Sequence, residues 1–153
     1  MKATIYPQSV LAGDATKQNY SLYPRAYYVD TLKECGTCGR PFIFFAKEQR
    51  FWFETLRFYV DANCALCPVC RRNSQDLRRR LRRYSDLFTK KTLTQKDLIS
   101  LVDDGGVLLA SGVLRDLDRL GRLKNEALRS IPEYPGTKGL AQAIKQARVK
   151  REP

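Results

Sequence analysis

Histidine is absent from this chain of 153 residues. Its absence excludes serine–histidine–aspartate and cysteine–histidine nucleophilic systems, and it excludes zinc fingers with histidine ligands. The chain also lacks any apolar run near the roughly 20 residues that a membrane span needs. The first residues, up to Pro7, lack the apolar stretch of a secretory signal. We therefore expect a cytoplasmic protein with no membrane partner.

Acidic residues are few relative to basic ones. The chain contains 28 lysines and arginines against 16 acidic residues, which gives a net charge of +12. Without histidine, this charge barely changes across physiological pH. Such an excess favours nucleic acid or an acidic protein as a partner. The alternative is a charge that serves only solubility.

Five cysteines are present, and they form two clusters. The first is Cys35 and Cys38, and the second is Cys64, Cys67 and Cys70. Two C-x-x-C elements separated by a short insert are typical of a structural zinc site with four thiolate ligands. In a chain without a secretory signal, this spacing favours metal over disulfides. A redox dithiol, an iron–sulfur cluster and a metal-free site are the alternatives.

The second cluster offers three cysteines for two ligand positions. The pair is either Cys67 with Cys70 or Cys64 with Cys67. We favour Cys67 with Cys70, because Pro68 fixes a backbone angle of the turn and Arg71 places positive charge beside a doubly negative site. Cys64 is then a buried spare thiol. Four protein ligands leave no open coordination position, so we expect no catalysis at the metal.

Short elements are predicted around the cysteines. Residues 1–22 contain proline and glycine without sustained periodicity, which predicts an irregular arm. The glycines flanking Cys38 suit a tight zinc knuckle. The apolar run 41–45 predicts a strand, and helical spacing of aromatic residues predicts a helix over 46–58. Residues 67–71 are interpreted as a second knuckle.

A basic amphipathic helix is predicted from residue 71 onward. Leu77, Leu81, Tyr84 and Phe88 recur at helical spacing on one stripe. Six arginines lie on the other side, namely Arg71, Arg72, Arg78, Arg79, Arg82 and Arg83. Because arginine makes bidentate hydrogen bonds with phosphate, these six are the candidate contacts for RNA or DNA. A solvated charged face is the alternative.

Further helices are predicted towards the C-terminus. Thr94 and Asp97 form a capping-box pattern that begins one helix, and Gly105-Gly106 is expected to end it. The next helix stops before Pro132. Residues 132–139 are expected to be a linker, and a basic helical tail follows.

Five segments together resemble a family of bacterial zinc-ribbon domains. They are YYVD from Tyr27, CGTCG from Cys35, FFAKEQ from Phe44, FWFE from Phe51 and CPVCRR from Cys67. The similarity covers residues 23–83. It implies zinc ligands at Cys35, Cys38, Cys67 and Cys70. Because the family is largely uncharacterised, the resemblance implies a fold and a metal rather than an activity.

The sequence thus predicts a small α+β fold. An irregular arm at 1–22 precedes a four-cysteine zinc-ribbon-like domain with a helical insert and basic helix at 23–84. A mainly α-helical extension at 85–131 and a linker with a basic tail at 132–153 complete the chain.

The predicted function is a non-catalytic zinc-binding module with no small-molecule substrate. Its arginine helix is expected to contact nucleic acid or a ribonucleoprotein. One alternative is a protein–protein adaptor that uses the C-terminal helices. A second is a thiol-based redox or metal sensor that uses Cys64 beside the zinc site.

Overall fold

The computed structural model describes residues 4–149. These residues belong to two compact units, which divide between Asn73 and Ser74. The division lies inside the predicted basic helix, whereas the sequence places the end of the zinc domain at residue 84. Within the described part of the chain, no helix combines the length and the hydrophobicity of a transmembrane span.

A three-stranded antiparallel sheet organises the first unit. Its strands are β1 (Thr4–Ala12), β2 (Tyr27–Glu34) and β3 (Pro41–Phe44), in the order β1-β2-β3. In the pairing of β2 with β3, Thr31 lies opposite Phe44. The strand predicted over 41–45 is therefore confirmed.

β1 shows that the prediction of an irregular arm at 1–22 is wrong for Thr4–Ala12. Residues 1–3 of that arm lie outside the described part of the chain. β1 shows no regular in–out alternation of buried residues, and its pairing with β2 is irregular between Tyr6 and Leu11. Ser9 stands in this irregular stretch, where its Oγ accepts the backbone N–H of Asp30 at 2.7 Å. A strand ordered by its partner leaves no periodic signal in its own sequence.

The helix predicted after β3 is present but shorter than expected. It consists of α1 (Ala46–Arg50) and a π-helical turn (Phe51–Thr55). The side-chain amide of Gln49 donates to the carbonyl oxygens of Val29 at 2.6 Å and Phe44 at 2.8 Å. These two hydrogen bonds fix α1 against β2 and β3.

α2 (Pro68–Phe88) is one continuous helix. Pro68 occupies its first position, where the missing N–H has no intrahelical partner to lose. The predicted apolar stripe is confirmed, because Tyr84 is buried in the core of the second unit and Leu77, Leu81 and Phe88 pack against that core.

The second unit is helical. Besides most of α2 it contains α3 (Gln95–Ala110), α4 (Leu117–Ser130) and α5 (Pro135–Val149). Its largest buried residues include Tyr84, Leu101, Leu108, Leu120 and Leu140. The predicted capping box is confirmed, since Thr94 Oγ1 accepts the Asp97 N–H at 3.2 Å and Asp97 Oδ2 accepts the Thr94 N–H at 2.9 Å.

The prediction that Gly105-Gly106 ends a helix is wrong. α3 passes through both glycines and ends at Ala110. A Cβ atom on Gly105 would lie 3.2 Å from Leu120 Cδ2 and 3.4 Å from Tyr84 Cε2. Glycine at this position therefore allows close side-chain packing on α3 and has no role as a helix terminator.

The prediction of a linker at 132–139 is wrong from Pro135 onward, because α5 begins there. Proline breaks a helix interior but suits the first helical position. Thr137, Leu140 and Ile144 are buried on this helix. The residues expected to form a linker and a basic tail thus complete the core of the second unit.

Candidate metal centre and basic helix face

Four cysteine sulfur atoms come together in the first unit. The Sγ atoms of Cys35, Cys38, Cys67 and Cys70 all lie within 4.8 Å of one another, and those of Cys38 and Cys67 are 3.9 Å apart. In a tetrahedral site with zinc–sulfur bonds of about 2.3 Å, ligand sulfurs lie about 3.8 Å from each other. The sulfur spacing therefore fits zinc with four thiolate ligands.

The first pair of cysteines lies in a tight turn between β2 and β3. The N–H of Cys35 donates to the carbonyl of Arg40 at 3.0 Å, and the N–H of Gly39 donates to the carbonyl of Cys35 at 2.9 Å. Gly39 has a φ of 68°, in the left-handed region that glycine adopts without steric cost. This turn is the zinc knuckle that the sequence predicts.

The second pair comes from a helix N-terminus, so the interpretation of 67–71 as a second knuckle is wrong. The carbonyl of Cys67 accepts the Arg71 N–H at 2.9 Å. Cys67 is therefore the N-cap of α2, and Cys70 lies in its first turn. Both cysteines thus lie beside the free N–H groups and the positive end of the helix dipole.

The hydrogen bonds of the cluster distinguish its thiols. The Cys67 N–H donates to Cys35 Sγ at 3.3 Å. This bond, together with the Cys38 N–H, lowers the pKa of Cys35 to about 6. In contrast, a hydrogen bond with Cys67 and desolvation raise the pKa of Cys70 to about 12. A metal that binds here must therefore displace the proton of Cys70.

Cys64 lies outside this group of four. Its side chain is 1% exposed, and its thiol donates to the carbonyl oxygen of Leu66 at 3.6 Å. Burial raises the pKa of this thiol. Since the thiolate is the reactive form of cysteine, Cys64 lacks the exposure and the acidity that a sensor needs.

The six arginines predicted to contact nucleic acid have different surroundings. Arg71 faces the first unit, where its guanidinium lies 2.5 Å from a carboxylate oxygen of Glu48 and 5.0 Å from the ring centroid of Trp52. Only 17% of its side chain is exposed. Arg71 is therefore an internal ion-pair and stacking residue.

Arg83 is also engaged. Its Nε and Nη2 donate to the two carboxylate oxygens of Asp104 at 2.7 and 2.6 Å. Arg80 adds a third hydrogen bond to this fully buried carboxylate at 3.2 Å. The hydrogen bonds and the charge of Asp104 raise the pKa of Arg83.

Five arginines of α2 are exposed. One of them, Arg83, is held by Asp104, and the other four are Arg72, Arg78, Arg79 and Arg82. Among residues 4–149, none of the four takes part in a salt bridge. They are the part of the predicted basic face that is available to a partner.

Asp104 is a residue that the sequence reasoning missed. A usable signal was present, because Asp104 stands between Leu101 and Leu108 at the spacing of the apolar stripe of α3. A buried acidic residue on an apolar stripe requires a cationic partner, and α2 supplies two, Arg80 and Arg83.

One comparison with known families gives a match. Residues 29–79 match a family model described as a probable treble clef domain. No curated protein and no solved structure matches the chain. The match includes the knuckle, the helix N-terminus and all four clustered cysteines. Residues 29–79 are thus similar to a treble clef domain and carry four cysteines placed to bind zinc, in agreement with the resemblance to zinc-ribbon-like proteins, and most of the second unit lies outside the match.

Proposed function

We propose that this chain is a non-catalytic, cytoplasmic zinc-binding module that contacts nucleic acid through the exposed arginines of α2. The observation that carries the proposal is the division among these arginines. Arg71, Arg80 and Arg83 are held by carboxylates, whereas Arg72, Arg78, Arg79 and Arg82 are exposed and form no salt bridge among residues 4–149. Arginines without carboxylate partners are able to bind phosphate groups and release counterions.

The distribution of charge supports this proposal. Residues 74–153 contain 18 lysines and arginines against 10 acidic residues, while residues 1–73 contain 10 against 6. The excess positive charge is therefore concentrated in the helical unit, to which Arg78, Arg79 and Arg82 belong. Such a concentration favours fast, salt-dependent association with a polyanion.

The zinc site supports a structural role for the metal. Four cysteines satisfy a tetrahedral ion and leave no position for water or substrate. Zinc would hold the knuckle to the first turn of α2. The binding surface then consists of side chains on a helix that the metal anchors at its start.

A charge-matched pair of variants tests the proposal. The first replaces Arg78, Arg79 and Arg82 with glutamine. The control replaces Arg129, Lys138 and Lys145, three exposed cations elsewhere in the same unit, with glutamine. Both variants lose the same net charge, so any difference in their binding to nucleic acid reflects where the lost charges lie on the protein.

Binding to a mixed-sequence duplex is measured across a salt series. We expect the first variant to bind more weakly and to reduce the slope of log K against log salt by about 3, since each phosphate contact contributes about 0.9. The control should remain close to the parent protein. Equal effects of the two variants, or no binding by the parent at low salt, would contradict the proposal.

A protein partner is the second candidate, but the structure offers less surface for it than the sequence predicts. The leucine-rich faces of α3, α4 and α5 are mostly buried in their own core. An apolar cavity of about 280 Å³ is lined mainly by Phe88, Leu93, Leu98 and Leu123. A Leu93→Arg substitution, which affects an exposed residue, would abolish protein capture at this cavity and leave binding to nucleic acid intact.

A further inference from the structure

The first unit carries an exposed aromatic loop, separate from the arginines of α2. It runs from the π-helical turn through residue 59. Phe51, Leu56, Phe58 and Tyr59 are each between 44% and 50% exposed. Large apolar side chains that are exposed one after another typically mark a binding surface.

The backbone of this loop is held in place at several points. The N–H of Leu56 donates to the carbonyl of Phe51 at 2.9 Å, and the N–H of Phe58 donates to the carbonyl of Trp52 at 3.0 Å. On the far side, Tyr59 pairs with Asn19. A loop fixed in this way presents its rings with little ordering cost on binding.

Arg57 adopts a conformation that its residue type rarely takes. Its φ is 54°, in the left-handed region where side chains other than glycine or asparagine are uncommon. Such a conformation persists only where the surrounding structure holds it. It turns the chain between Leu56 and Phe58, so that exposed apolar side chains lie on both sides of an arginine.

Cations alternate with the rings along the loop. Arg50 and Arg57 are exposed, and neither forms a salt bridge among the described residues 4–149. The acidic residue of the segment, Glu54, accepts the backbone N–H of Asp14 at 2.8 Å. The exposed part of the loop therefore combines aromatic faces with unpaired positive charge.

Trp52 connects this loop to the metal-binding end of α2. The Phe58 ring meets the Trp52 ring edge-on, with centroids 5.6 Å apart and an interplanar angle of 80°. The guanidinium of Arg71 lies over Trp52. Because Trp52 is the single tryptophan of the chain, its fluorescence reports on the position of Phe58.

We propose that Phe58 and Tyr59 stack on unpaired bases, and that Arg50 and Arg57 bind the adjoining phosphates. This inference rests on the proposed function and specifies its substrate class as single-stranded nucleic acid. Aromatic side chains stack on the faces of bases, and these faces are covered by neighbouring pairs in a duplex. An apolar protein surface would contact only the rings, and an acidic protein surface would contact only the arginines. A single strand offers both bases for the rings and phosphates for the arginines.

Two leucine variants test the inference. Phe58→Leu and Tyr59→Leu keep an apolar side chain of useful size and remove the π-face. A protein partner that packs against apolar surface would still bind these variants, whereas a base that stacks on the aromatic rings would bind them more weakly. Leu128→Ala, an exposed apolar position in the second unit, serves as the control, and the zinc-loaded full chain is used throughout.

The probes are an oligothymidylate and an oligouridylate of about 12 nucleotides, within the site size of known single-strand binders, and a mixed-sequence duplex. Affinity is measured at low salt, with Trp52 fluorescence as a second readout. We expect each leucine variant to bind the single strands at least about fivefold more weakly, as loss of one stacked base implies. Duplex affinity and the control should not change, and the single strands should alter Trp52 emission of the parent protein.

The outcomes separate this inference from the proposed function. If the leucine variants bind single strands as well as the parent, stacking at the loop is wrong, and duplex binding by the α2 arginines still stands. If the parent binds none of the three probes at low salt, the proposed function itself fails. Weakened binding of duplex and single strand alike in the leucine variants would indicate a folding defect at Trp52 and would also refute selective stacking.

Discussion

The two adjacent glycines of α3 allow a sharp test of the helical unit. Gly106 lies in the helix interior, and a Cβ atom added there would meet no other atom within 4 Å. Glycine in a helix interior costs about 1 kcal/mol relative to alanine, because the unfolded chain loses more conformational freedom. We therefore expect Gly106→Ala to raise the free energy of unfolding by about 0.5–1 kcal/mol.

Gly105→Ala is the matched comparison. It gains the same helix propensity, but its Cβ would lie 3.2 Å from Leu120 Cδ2 and 3.4 Å from Tyr84 Cε2. Crowding of a packed core costs about 1–3 kcal/mol. The two effects oppose each other, so this variant should be neutral to about 2 kcal/mol destabilised, and always less stable than Gly106→Ala.

The assay is thermal and urea unfolding of the zinc-loaded chain, followed by circular dichroism at the helical band. For a domain of this size, 1 kcal/mol corresponds to a shift in Tm of about 4–8 °C. We expect the helical transition of Gly106→Ala to move up by about 2–8 °C and that of Gly105→Ala to stay or move down. If both variants are equally destabilised, the helix ends at the glycines and our account of α3 is wrong.

Three further predictions concern the metal, an ion pair and a helix cap. Chelation of zinc should unfold the first unit. By metal analysis, Cys64→Ser should retain one zinc per chain, whereas Cys67→Ser should lose it. Loss of zinc from both variants would place Cys64 among the ligands. Asp104→Asn should lower the free energy of unfolding by about 2 kcal/mol, because it weakens three hydrogen bonds to charged groups that are partly exposed; an unchanged urea midpoint would contradict this. A hydrogen bond from Lys90 and those from Thr94 lower the pKa of Asp97 to about 2, so its contribution to stability is complete above pH 4 and is lost as the pH falls to 2. The stability difference between Asp97→Asn and the parent should accordingly disappear over that range in acid titrations.

The metal centre followed from the sequence because ligand spacing is a local property. Cys35 and Cys38 lie in one turn, and Cys67 and Cys70 lie in another, so each pair is positioned by its own few residues. The helical origin of the second pair was not predictable from that spacing. Pro68 suits a knuckle turn and a first helical position equally well, and only the tertiary structure decides between them.

The errors share a physical cause, namely that glycine and proline were interpreted by their local preferences alone. Gly105 is selected by the space available beside Leu120, and that space is set by a different helix. Pro135 begins α5, where its lack of an N–H has no cost. β1 was missed because its order comes from pairing with β2, some twenty residues further along the chain.

The sequence predicted one common role for all six arginines. Helical periodicity shows which residues share a face of the helix, but it does not show which carboxylates they pair with. Arg71 and Arg83 fit the pattern as well as Arg78 does. Their carboxylates, Glu48 and Asp104, lie 23 and 21 residues away in sequence. Such long-range pairing is visible only in the folded chain.

The ion pair between Arg83 and Asp104 has an evolutionary consequence. The pair uses two parallel hydrogen bonds from a planar guanidinium to a buried carboxylate, and a lysine cannot reproduce this geometry. Among relatives of this chain, positions 83 and 104 should therefore change together, with arginine and aspartate lost as a pair in favour of apolar residues. Positions 78, 79 and 82 should instead exchange arginine and lysine more freely, since no salt bridge among residues 4–149 fixes the geometry of those side chains.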